Sequence, residues 1–125
     1  MTGDRWDSWP SHRSQEFFLE MMERHDDVES VEKISPNRYD VTLNDGTEVK
    51  VFITDVYEFT VSDYANLCAR HPDVTCIVQG STWNYFTDAA RDEARSEGIA
   101  TFHFKGLMGA LNLRGDDFLD YPDAE

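Results

Sequence analysis

Lysine is nearly missing from this chain: only Lys33, Lys50 and Lys105 occur, beside eight arginines and against 15 aspartates and 10 glutamates. The resulting formal charge of −14 argues against loose electrostatic binding to nucleic acid, since phosphate contacts depend on Lys and Arg, and confines any DNA contact to one local face. An acidic coat poor in lysine keeps a protein soluble in molar salt, which is the reading preferred here over an ordinary acidic protein with an acidic tail. Cysteine is limited to Cys68 and Cys76. With no C-x-x-C and no histidine at zinc spacing, a disulfide scaffold and a zinc site are excluded, and both thiols read as reduced small hydrophobes of a cytoplasmic protein. Apolar runs are only a few residues long, and Met1 to Pro10 is charged and tryptophan-bearing. The chain therefore offers neither a membrane span nor a secretory signal, and no membrane partner is expected. Gly80-Ser81-Thr82 lacks the second glycine of a nucleophile elbow.

What is present suffices for a core. A chain of 125 residues with 40% hydrophobic and 13% aromatic content is one domain's worth and buries roughly two thirds of its unfolded surface. An arm over 1–13 is expected to lead into a single α/β domain over 14–113, followed by an acidic tail over 114–125. Phe17, Phe18, Met21 and Met22 fall on helical spacing between Ser14 and His25. A short strand over Val28 to Ile34 is broken by Pro36-Asn37. Downstream, Thr60-Val61-Ser62-Asp63 has the spacing of a capping box and opens a helix running to His71-Pro72. Val74 to Val78 is a continuous apolar strand. A helix over Thr87 to Glu97 turns Ala89, Ala90 and Ala94 inward and stops at Gly98. A strand over Ile99 to Phe104 and a helix over Leu107 to Leu113 complete a mixed-sheet α/β sandwich with a right-handed parallel crossover.

The segment Arg38 to Thr54 is a hairpin whose register can be argued. A two-residue Asp45-Gly46 turn leaves both faces mixed. A three-residue Asn44-Asp45-Gly46 loop, with Gly46 left-handed and a bulge, instead pairs Leu43 with Thr47, Val41 with Val49 and Tyr39 with Val51. One face then carries Tyr39, Val41, Leu43, Val49, Val51 and Ile53. The other carries Arg38, Asp40, Thr42, Glu48, Lys50 and Phe52. A one-residue slip inverts every side chain, so the need for one buried face selects the second register. It sets Asp40 opposite Lys50, with Glu48 one step along.

Two carboxylates and an amine on adjacent strands suit phosphodiester cleavage, in which carboxylates hold Mg²⁺ and a lysine orients water or neutralises phosphate. The order helix, hairpin, helix, strand, with Asp40 on the second strand and Glu48-Val49-Lys50 on the third, resembles the restriction-endonuclease-like PD-(D/E)xK superfamily, nearest the Mrr-like and archaeal Holliday-junction-resolvase-like nucleases. Cys76-Ile77-Val78-Gln79-Gly80, the alanine-rich Thr87 to Gly98, Ile99 and Leu107 continue the likeness over about residues 14 to 113. The resemblance implies a restriction-endonuclease-like α/β fold and Mg²⁺- or Mn²⁺-dependent DNA cleavage. It also implies Asp40 and Glu48 as metal ligands, Lys50 as the catalytic amine, and Glu16, in preference to Glu20, as a further ligand from the first helix.

Two other readings of the same residues stand beside this one. Asp40 opposite Lys50 is also what a plain cross-strand ion pair looks like, worth about 0.2–1 kcal/mol. The chain is then a generic small α/β domain. Alternatively it is a non-catalytic protein-interaction module of the same fold, a homodimer or the ligand of another protein, with Phe52, Tyr57 and Phe59 as its exposed aromatics. The loop Trp83-Asn84-Tyr85-Phe86 either stacks on a partner or caps the core, the latter being the expectation.

Overall fold

The structure, a computed structural model, describes residues 10–122. Trp6 and Trp9 of the expected arm lie outside the described residues. Helix α1 spans His12–Arg24, its N-cap Ser11 accepting a hydrogen bond from the Ser14 N–H at 3.1 Å. Of the set on helical spacing it buries Phe18 and Met22, while Met21 is half-buried and Phe17 is exposed. Strands β1 (Val28–Lys33), β2 (Arg38–Leu43) and β3 (Glu48–Thr54) form an antiparallel meander. A two-residue strand β4 (Glu58–Phe59) precedes α2 (Val61–Arg70). Then come β5 (Cys76–Gln79), a two-residue β6 (Tyr85–Phe86), α3 (Asp88–Ser96), β7 (Ala100–His103), α4 (Phe104–Ala110) and α5 (Asp116–Leu119).

The main sheet runs β1-β2-β3-β5-β7, with β3, β5 and β7 parallel, and β4 pairs with β6 in a separate two-stranded sheet. Helices cover both faces, so the architecture is the expected mixed α/β sandwich. On one face Tyr39, Val41, Leu43, Val49, Val51 and Ile53 pack with Phe18 and Met22 of α1 and Leu107 of α4. On the other, Phe52 and Ile77 pack with Tyr64 and Leu67 of α2 and Ala90 and Ala94 of α3. Among the described residues no helix is long and apolar enough to cross a membrane.

The hairpin takes the three-residue loop. Asp40 pairs with Lys50, Val41 with Val49 and Tyr39 with Val51, and the Leu43 N–H donates to the Thr47 carbonyl at 2.8 Å. Gly46 has φ +89°, the left-handed conformation in which a Cβ would be strained. Thr60 and Asp63 form the capping box with both reciprocal bonds.

Several expectations are corrected. Ala89 is exposed while Ala90 and Ala94 are buried, because α3 presents a stripe only one residue wide to the sheet. The last strand ends at His103 and α4 begins at Phe104, ahead of the predicted Leu107. The alternation Phe102, His103, Phe104 mimics a strand and hides the helical set 104, 107, 108, 111, all of which pack on the core. Phe52 and Phe59 are not exposed aromatics. Phe52, at 1% exposure, lies under α2 and α3 with its ring 4.8 Å from that of His71, and Phe59, at 0%, meets its small-sheet partner Phe86 edge-on within the same core. Only Tyr57 of the three faces solvent. Within the acidic C-terminal segment, Phe118, Leu119 and Tyr121 pack against the main core.

The hairpin loop is tied at Asp45, which accepts from the Thr47 N–H at 2.9 Å and from Arg114 Nε at 2.8 Å. These bonds, the backbone one foremost, pull its pKa down from 3.8 to about 2. A lowered carboxylate stabilises the fold above its unfolded value, and that contribution is lost as pH falls through the folded one. Carboxyl NMR titration is therefore expected to place Asp45 near 2 and to show Asp45→Asn losing the part of the acid dependence between about pH 4 and pH 2.

Candidate functional site

The structure brings Asp40, Glu48 and Lys50 onto one open sheet face, the side of β2 and β3 that points away from α1. Alternation along β2 and β3 places Arg38 there too, and pairing of Glu32 with Asp40 adds a further carboxylate from β1. The loop between α2 and β5 contributes Asp73, held near β3 because the Thr75 N–H donates to the Lys50 carbonyl at 2.9 Å and the Lys50 N–H donates to Thr75 Oγ1 at 2.9 Å.

Arg38 organises this face. Its Nη1 and Nη2 donate to the two oxygens of Asp73 at 2.9 Å each, and its Nε and Nη2 donate to Asp40 Oδ1 at 3.2 and 3.0 Å. The planar guanidinium fork is suited to gripping two carboxylates at once. Its own pKa is raised, chiefly by the bond to Asp73, and Asp73 is lowered by the same bond. Lys50 Nζ lies 3.8 Å from Asp40 Oδ2, 3.6 Å from Glu48 Oε1 and 4.0 Å from Asp73 Oδ2. The ammonium thus fills the position between Asp40 and Glu48 that a cation shared by them would take.

The Asp40 and Glu48 carboxylates of this face are directed at cations of the chain itself. Asp40 gives one oxygen to Arg38 and turns the other to Lys50, and Glu48 is largely in solvent. Glu16 is not brought to the cluster: it sits on α1, over the opposite face, exposed and 3.6 Å from His12 Nε2. Glu20 is exposed on the same helix. Among the described residues no group of three or more His, Cys, Asp or Glu side chains could hold a metal ion.

A second polar cluster, which sequence reasoning missed, lies at the carboxyl ends of β3, β5 and β7. Gln79 Nε2 donates to the Val56 carbonyl at 2.7 Å and to the Tyr85 carbonyl at 3.2 Å, and its Oε1 accepts from the Val56 N–H and from Asn84 Nδ2, each at 3.3 Å. Asn84 Nδ2 and Ser81 Oγ both donate to Asp55 Oδ1, at 2.7 and 3.1 Å. His103 Nε2 lies 2.6 Å from the Asn84 carbonyl, which fixes that nitrogen as the protonated one. Gln79, Asn84 and His103 are all buried. The network braces the loop 80–86, and buried polar networks rigidify when each member is satisfied. A visible signal was present in the sequence: Gln79 ends an apolar strand at a position the sheet keeps buried, where only a partnered side chain is tolerated.

Comparison of the chain with protein-family models, with curated proteins and with solved structures finds no match to any of the three.

If Arg38 is the hub of the open face, Arg38→Met leaves Asp40 and Asp73 facing each other without it. Hydrogen bonds to charged groups are worth about 1.5–3 kcal/mol, less where solvent screens them. The variant is expected to lose about 1–3 kcal/mol in denaturant unfolding at neutral pH. Lys50→Met, whose partners are 3.6 Å or more away, is expected to lose less than about 1 kcal/mol.

Proposed function

We propose that the chain is a non-catalytic protein-interaction module, of the restriction-endonuclease-like kind its element order resembles, working in a salt-adapted cytoplasm. The observation that carries this reading is the closure of the charged face on itself. The carboxylates that would bind metal in a nuclease are engaged by cations of the chain, Asp40 by Arg38 and Lys50 and Glu48 by Lys50. Charge supports it as well. On that face four carboxylates, Glu32, Asp40, Glu48 and Asp73, outnumber the two cations, and a chain of −14 repels a polyanion unless basic groups are gathered on the contacting surface.

The contact surface favoured by this reading is the aromatic rim around the small sheet. Trp83 is 73% exposed and Tyr57 65%, and Tyr57 meets Tyr85 edge-on with ring centres 5.5 Å apart. Trp and Tyr in such positions supply large contact area at small entropic cost, as they do at interface hot spots. A second reading, Mg²⁺-dependent cleavage of DNA, is favoured by the sharing of one face by Asp40, Glu48 and Lys50.

Titration with Mg²⁺ and Mn²⁺ in high-potassium buffer separates the two readings. Under the interaction reading no site-specific amide or carboxyl shift appears at Asp40 or Glu48, and Lys50→Ala changes no nuclease activity. Site-specific shifts that vanish in Asp40→Ala overturn it. The same protein, followed by light scattering over a hundredfold concentration range, is expected to show association with itself or an added partner that Trp83→Ser weakens at unchanged melting temperature.

A further inference from the structure

Away from the charged hairpin face, and floored in part by the Gln79–His103 network, there is a cleft of about 480 Å³ at the carboxyl ends of β5 and β7. Its walls come from α1 and α4, with Phe17, Met21, Phe104 and Met108 supplying apolar surface, and its floor from Gln79 to Thr82 and His103. This is the end of a parallel sheet at which α/β proteins hold small ligands, and the volume is that of a small-molecule site. Phe17, on the wall, is 50% exposed.

The cleft is pre-formed rather than collapsible. Gln79 is committed through its four hydrogen bonds to Val56, Tyr85 and Asn84, and His103 Nε2 to the Asn84 carbonyl. The floor therefore keeps its shape without a ligand, and its buried polar side chains do not compete for one. Among the described residues that line the cleft, the one acidic or basic side chain besides His103 is Lys105, which is exposed. In a chain with three lysines, Lys33 donates to Gln15 Oε1 at 2.8 Å and Lys50 lies among three carboxylates. Lys105 belongs to neither network.

We propose that this cleft binds a small organic acid with an apolar body, the body lying against Phe17, Met21, Phe104 and Met108 and the carboxylate pairing with Lys105. An apolar surface alone does not discriminate between an acid and its neutral analogue, whereas an ammonium at the mouth does, and does so the more strongly at low salt. The proposal is independent of the hairpin network and of the aromatic rim.

The test uses the full chain with decanoate and decanol as probes at low ionic strength, read by amide chemical shifts and by displacement of anilinonaphthalene sulfonate. The expected result is saturable binding of decanoate with shifts centred on Gly80, Ser81 and Lys105. Lys105→Gln is expected to weaken decanoate about tenfold, the equivalent of about 1.4 kcal/mol, while leaving decanol within about twofold. Phe17→Ala is expected to weaken both probes. Both substituted residues are exposed, so unchanged melting temperatures are expected to accompany these losses. Absence of saturable binding at millimolar decanoate, shifts centred elsewhere, or equal decanoate affinity in Lys105→Gln overturns the proposal.

Discussion

The register of the β2–β3 hairpin is the constraint on which the rest of this molecule depends. Side chains alternate along a strand, so a slip of one residue exchanges the buried and the open face of both strands together. The left-handed Gly46 and the bonds of Leu43 with Thr47 and Gly46 fix that register within three residues. Once it is set, six apolar side chains join α1 and α4 in one core, and the strand charges Arg38, Asp40, Glu48 and Lys50 are forced onto the opposite face, beside the part that α2 and α3 cover at Phe52.

Gathering charges on one face creates a problem that Arg38 solves. Asp40 and Asp73 come together from β2 and from a loop distant in sequence, and two carboxylates without an intervening cation repel each other. A guanidinium placed two residues before Asp40 on the same strand spans both, with Lys50 completing the neutralisation from β3. The arrangement that brings acids and amine together for chemistry is therefore also the arrangement that occupies them. Arginine suits this role because its fork satisfies two carboxylates in fixed geometry, whereas lysine offers a point charge at longer range.

The far end of the sheet follows different physics. There the parallel strands finish in buried polar side chains, Gln79 and His103, which bind the backbone of the loop that carries Trp83 and Tyr85. A loop held by side chains that already have their partners is stiff, and it keeps an aromatic rim on one side and an apolar cleft on the other. The two ends of the molecule thus differ in kind: a charge lattice at the meander, and apolar concavity at the carboxyl ends.

The sequence by itself determined the elements whose signals are local. The spacing of Phe18 and Met22, the capping box at Thr60, the loop at Gly46 and the alternation from Tyr39 to Ile53 each reside within a few residues, and the mixed sheet with its meander followed from them. The face shared by Asp40, Glu48 and Lys50 was legible for the same reason. Tertiary structure alone decided the rest. Whether Phe52 and Phe59 meet solvent depends on α2 and α3 arriving over them, and the start of α4 at Phe104 was masked by an alternation that only packing resolves. The approach of Asp73 to Arg38 spans 35 residues, and that of His103 to Asn84 spans 19. Contacts of that separation leave no period in the sequence, because they are fixed by how layers stack and not by how neighbouring residues turn.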